Sequence, residues 1–181
     1  MKSLVAAIDR LPRPEQEAVS ARISLATRKV IEDATGVDWL AGGLNLEVTR
    51  AIYAGLGAEG GRRFFREALR VAFSGPLLRV IVEAAQRVFR LDPASFAGWL
   101  GTGWVLVFRH CGHWAVERAG AKEAAIRILD LPADFAADTV WLDSVAHSLE
   151  AFFEVTGAMG SVEIEERDRS AGRALFRLRW E

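Results

Sequence analysis

Apolar residues recur at helical spacing through roughly the first 110 residues of the chain and alternate with polar ones near its end. Leu4, Ile8 and Leu11 share one helical face before Pro12-Arg13-Pro14 interrupts it. Pro14 suits the first turn of a second helix, where Glu15 and Glu17 lie beside the positive end of the helix dipole. Val19, Ile23, Ala26 and Val30 carry that helix on towards a stop at Thr35-Gly36. Asp38 to Asn45 reads as a loop, Leu46 to Ala54 as a helix, and Gly55 to Gly61 as a glycine-rich connection. The next helix, Arg62 to Phe73, buries Phe65, Leu69 and Phe73, and Pro76 opens another that runs to about Arg90.

Beyond Asp92-Pro93 the spacing of Phe96, Trp99, Leu100, Trp104, Val107 and Phe108 predicts a buried helix over 94–109. Gly98, Gly101 and Gly103 weaken it and leave a strand over 104–109 as the competing expectation. From residue 113 the period falls to two. Segments 113–119 and 122–129 form a hairpin about Gly120-Ala121, with Ala124, Ile126 and Ile128 on one side and Arg127 on the other. Asp138 is placed to cap a helix from Thr139 to Thr156 that Gly157 ends, with Trp141, Val145, Leu149, Phe152 and Thr156 as its buried stripe. Two further strands follow. Val162 and Ile164 alternate with Glu163 and Glu165, and Ala174, Phe176, Leu178 and Trp180 alternate with Leu175, Arg177 and Arg179. The expected fold is therefore α+β: one domain over 1–181, mostly helical to residue 110, then a β-β-α-β-β antiparallel module over 111–181.

Composition narrows the class. At 51% hydrophobic and 26% charged, the chain belongs with globular proteins and not with disordered ones. Six Trp and ten Phe supply bulky filling for its core. Net charge is −1, divided as +4 over residues 1–90 and −5 over 91–181, too mild an asymmetry to point to nucleic acid. Cys111 is the sole cysteine, so no internal disulfide is possible. No signal-like segment opens the chain and no run of about 18 apolar residues spans a membrane, so a cytoplasmic location is expected. The excess of Arg over Lys and the abundance of Ala suit a high-GC bacterial gene.

Four constellations could carry chemistry. Gly55-Leu56-Gly57-Ala58-Glu59-Gly60 matches G-x-G-x-x-G, with Glu83 where a ribose-binding acid would fall. No apolar strand precedes it and no further β-α units follow, so a helix–helix connection is the expected role. Arg62, Arg66 and Arg70 stand one turn apart as a basic ridge for an anion or an acidic partner, or as a solvated face. His110, Cys111 and His113 offer three metal or thiol ligands within four residues, although a tetrahedral site needs donors from elsewhere. Asp143, His147 and Glu150 or Glu154 share a helix side, which suits a proton-handling cluster or a haem-ligating histidine backed by carboxylates, and more commonly a polar face that slightly raises the histidine pKa. No nucleophile elbow, P-loop, H-E-x-x-H or paired-cysteine motif occurs.

The order of elements from Asp92 to Trp180 resembles the ligand-binding fold of haem-based nitric-oxide sensors, vinyl-reductase-type regulatory domains and vesicle-tethering subunits. The stretches that carry the likeness are Asp92-Pro93, HWAVERAG, KEAAIRIL, WLDSVAHSLEAFFEVTGA and ALFRLRW. The chain is also similar to a set of myxobacterial paralogues of unknown function that end in a similar strand with a final Trp. The resemblance implies a sensory or scaffolding domain with an apolar pocket between helices and sheet. The Tyr-x-Ser-x-Arg signature that haem sensors use for propionates is absent, the only tyrosine is Tyr53, and no histidine matches their haem ligand, so no site residue is carried over.

The leading expectation is a non-enzymatic regulatory domain, a homodimer, that binds a small apolar ligand or a partner protein. The ligand is placed around Phe96, Trp99, Trp104, Trp141 and Phe152. No cofactor is called for, with haem or a metal left open. The alternatives are a metal- or thiol-dependent enzyme centred on Cys111 with His110 and His113, and a pure interaction module.

Overall fold

The computed structural model describes residues 2–35, 38–74 and 92–181; for Lys2, Ser3, Phe73, Ser74, Trp99, Leu106 and Val107 only the backbone is described. The helix expected from Pro76 to Arg90, with Glu83, lies outside the described residues. Where one helix was expected beyond Pro14, there are two. Helix α1 (Lys2–Ile8) precedes α2 (Arg13–Ser20) and α3 (Leu25–Asp33). Ser24 separates α2 from α3 by taking the Thr27 N–H on its side chain, an N-cap the apolar spacing did not signal. The break resets the helical phase. Thr27 and Ile31 turn inward, while Val30, expected in the buried stripe, is exposed.

Helix α4 runs from Gly42 to Ser74 and absorbs the expected glycine-rich connection. Only Gly57 departs from helical geometry, at φ 74° and ψ 177°, so one residue of positive φ kinks the helix. Gly55 serves a different need. A Cβ there would lie 2.8 Å from the Val19 side chain and 3.0 Å from its backbone, because α2 crosses α4 at this point. Ile8, Val19, Ile23, Ile31, Val48, Ile52, Phe64 and Phe65 form a core around that crossing.

The competing readings of 94–109 resolve as helix α5 (Pro93–Val107), capped by the Asp92 carboxylate on the Ser95 N–H at 2.7 Å. The sheet follows as β1 (His113–Ala119) and β2 (Glu123–Leu129). A short α6 (Ala133–Ala137) and then α7 (Thr139–Thr156) lead to β3 (Gly160–Asp168) and β4 (Arg173–Trp180). Strand order is β1-β2-β4-β3, antiparallel throughout. Ile126 faces Phe176 and Ala124 faces Leu178 across the central pair, as the alternation requires. Both edge strands are bulged, between Val116 and Arg118 in β1 and between Ile164 and Glu166 in β3. The residues in excess, Glu117 and Glu165, each ion-pair with an arginine of the adjoining central strand, Arg127 and Arg177.

The expected α7 is found as placed, from the Asp138 cap to Gly157 in the left-handed conformation. It is covered by the inner sheet face on one side and by α4 on the other. Trp141, Leu142, Val145, Leu149, Phe152 and Phe153 join Ile126, Ile128, Phe176, Leu178 and Trp180 in the larger core. The tightness of the α2–α4 crossing is testable. Gly55→Ala is expected to lower stability by about 1–3 kcal/mol, the usual cost of overpacking, read as a reduced urea midpoint at unchanged m-value.

Candidate functional site

Aromatic side chains meet where α5, α7 and the sheet converge. Phe96 lies 4.3 Å from Phe152 between ring centroids, and Trp104 lies 4.2 Å from Phe108, 4.8 Å from Trp114 and 6.1 Å from Trp141. Phe135 closes on Trp141 edge-on at 4.7 Å. Four of the five residues named from the sequence are thus brought into one interior; the Trp99 side chain lies outside the description. Sequence reasoning missed Phe108, Trp114 and Phe135 as members. The hairpin register held the signal for Trp114, since it pairs with Ile128 and so faces inward. Two indoles here have acceptors: Trp104 Nε1 donates to the Cys111 carbonyl at 3.0 Å, and Trp141 Nε1 to Asn45 Oδ1 at 2.9 Å. Clefts of 640 and 770 Å³ open elsewhere, and Phe96, Trp104, Trp141 and Phe152 line neither.

A second set of functional groups lies between α4 and α7. Arg50 bonds Asp138 at 2.6 Å, Arg62 grips Glu150 through two nitrogens at 2.9 and 2.7 Å, and Arg66 bonds Glu154 at 2.5 Å. Each pair is 88 residues apart in sequence, so the two helices run parallel in constant register across the Gly57 kink. Arg70 turns to Glu67 of its own helix. The basic ridge therefore has its charge met by carboxylates of the chain. The Asp138 carboxylate both caps α7 and holds Arg50 while buried.

Tyr53, unremarked in the sequence as a site residue, places its hydroxyl 2.6 Å from Nδ1 of His147. The polar face expected on α7 is thus largely an interface. The expected rise in the histidine pKa is also reversed: burial holds His147 below its ordinary value, outweighing the pull of Glu150 and Asp143. Asp143 turns away to Arg167 of β3, at 2.5 Å.

The residues of the His-Cys-Gly-His turn diverge. His110 is exposed at φ 53°, His113 is exposed beside Asp130, and Cys111 is buried in the aromatic core. Burial pushes the Cys111 thiol up to about 12, which keeps it protonated and poorly nucleophilic at neutral pH. Among the described residues no three His, Cys, Asp or Glu side chains are grouped to hold a metal ion.

No family model and no curated protein matches the sequence. Solved structures do match the fold. An Fe(II) unliganded H-NOX protein from K. algicida superposes with a TM-score of 0.65 at 9% identity, over 99% of this chain and 92% of that one. An oxygen-binding H-NOX domain related to soluble guanylate cyclases gives 0.60 at 10% identity, over 99% and 92%. A structure from a study of haem distortion in the H-NOX family gives 0.59 at 11%, over 98% and 93%. The fold is H-NOX-like, and the likeness extends through the N-terminal helices as well as the expected 92–180 stretch.

Haem, implied by these neighbours, can be tested against every side chain able to ligate its iron axially. The chain has three His, one Cys, one Tyr and two Met. His110 and His113 are exposed and His147 is engaged by Tyr53, which leaves Cys111 as the one potential ligand of the aromatic core. Met159 is 73% exposed, and Met1 lies outside the described residues. Between Pro93 and Val107 there is no His, Cys, Tyr or Met at all. The histidines therefore do not fit a haem ligated axially by imidazole in the aromatic interior.

The Tyr53–His147 contact has a pH signature. Unfolded, His147 takes up a proton near pH 6.5, whereas the folded imidazole resists until lower pH. Its contribution to stability is therefore complete above about pH 6.5 and falls away as pH drops below it. Urea midpoints of the wild type should decline between about pH 6.5 and 5, and those of His147→Gln should decline less.

Proposed function

We propose that this chain is a non-enzymatic regulatory domain in which an H-NOX-like fold takes a small apolar ligand, without haem, in its aromatic interior. One observation carries the reading. Phe96, Trp104, Trp141 and Phe152 share an interior between α5 and α7, and no histidine faces it. In ligand sites an apolar, aromatic wall supplies affinity while a few polar groups set orientation. Phe96 and Phe152, and Trp104 and Phe108, are in ring contact, so an incoming molecule must part these pairs. Two features argue against the thiol enzyme: Cys111 is protonated and buried, and neither neighbouring histidine is buried with it.

The test uses protein as purified. Absorption spectra should lack a Soret band and elemental analysis should give no stoichiometric iron. A neutral aromatic probe such as α-methylstyrene, at about ten times its Kd, should add about 1.4 kcal/mol of stability. That raises the melting temperature by roughly 3–6 °C. Stoichiometric haem, or a melting temperature indifferent to apolar probes, overturns the reading.

A further inference from the structure

Among the described residues only two buried side-chain nitrogens lack a hydrogen-bond partner, Arg66 Nε and Trp114 Nε1. The guanidinium of Arg66 is served through Nη2 by Glu154. Trp114 has no second donor, so its indole is wholly unsatisfied. The contrast with Trp104 and Trp141, whose indoles both have acceptors, is sharp within one cluster. Trp114 is half-buried, yet its N–H is sealed from water. Its ring lies parallel to Phe176 at 6.2 Å and tilted to Trp104 at 4.8 Å. Across from it α5 comes close, since a side chain at Gly101 would stand 3.3 Å from the Trp114 carbonyl oxygen.

A donor withheld from both solvent and protein is costly to maintain, and in native proteins such a group calls for an explanation. We infer that the Trp114 N–H is the polar anchor of the ligand site, reserved for a small uncharged molecule with one hydrogen-bond acceptor, such as a ketone. Charge is disfavoured because the two described rings beside it, Trp104 and Phe176, offer a buried ion no counter-charge. The inference rests on the apolar-ligand reading above and adds the ligand's chemical class.

Acetophenone and α-methylstyrene have nearly the same shape and differ by C=O against C=CH2. Wild-type protein should bind acetophenone about tenfold more tightly, and Trp114→Phe, which keeps a ring but deletes the donor, should abolish that preference. In 15N-labelled wild-type protein the Trp114 indole proton should move downfield with acetophenone and stay in place with α-methylstyrene. This second readout does not depend on how well the variant folds. Equal affinity for both probes in the wild type overturns the inference while leaving the apolar site intact; failure of both to bind overturns the site itself. An indole proton shifted upfield in the free protein and unmoved by acetophenone would mean that Trp104's ring serves as its acceptor, and also overturns it. So does a persistent cross-peak to a trapped water that acetophenone does not displace.

Discussion

Helix α7 is covered on two sides, by the sheet and by α4, and the rest of the structure is arranged around that constraint. Its apolar side chains fill the space beneath the sheet, while Asp138, Asp143, His147, Glu150 and Glu154 still need partners. A buried carboxylate without a counter-charge is far costlier than a missing methylene, so α4 must present arginines at matching heights. It does so at Arg50, Arg62 and Arg66, and the kink at Gly57 falls between the first two without disturbing the match. The seam contributes modest net stability for its size, because exposed arginine stems are screened. What it fixes is the register of the helical part against the sheet.

The aromatic interior shows how one architecture can be filled for different ends. A fold shared with H-NOX domains says how helices and sheet are disposed, not what sits between them. In this chain indole and phenyl rings take up the centre, and the three histidines are turned outward or bonded elsewhere.

Much of this was legible in the residues. Alternation at Ala174, Phe176, Leu178 and Trp180 fixed which sheet face is inner, and Asp138 with Gly157 marked both ends of α7. The helical half was harder to read. Glycine density between Gly55 and Gly61 looks like a loop by propensity, but tertiary packing overrides it: Gly55 is spacing for α2, and only Gly57 breaks the helix. The break at Ser24 lay inside an unbroken apolar rhythm, so its phase shift could not be seen. Partners 88 residues apart leave no local trace, which is why His147 read as a surface group with a raised pKa, and why Tyr53 passed unnoticed.

The two bulged margins of the sheet have a consequence for behaviour at high concentration. An incoming strand needs an even row of amide donors and carbonyl acceptors, and the surplus glutamate on each border spoils that row. Because Arg127 and Arg177 hold those glutamates from within, the irregularity is anchored and does not anneal away. In crowded solution this disfavours ribbon-like growth along either rim.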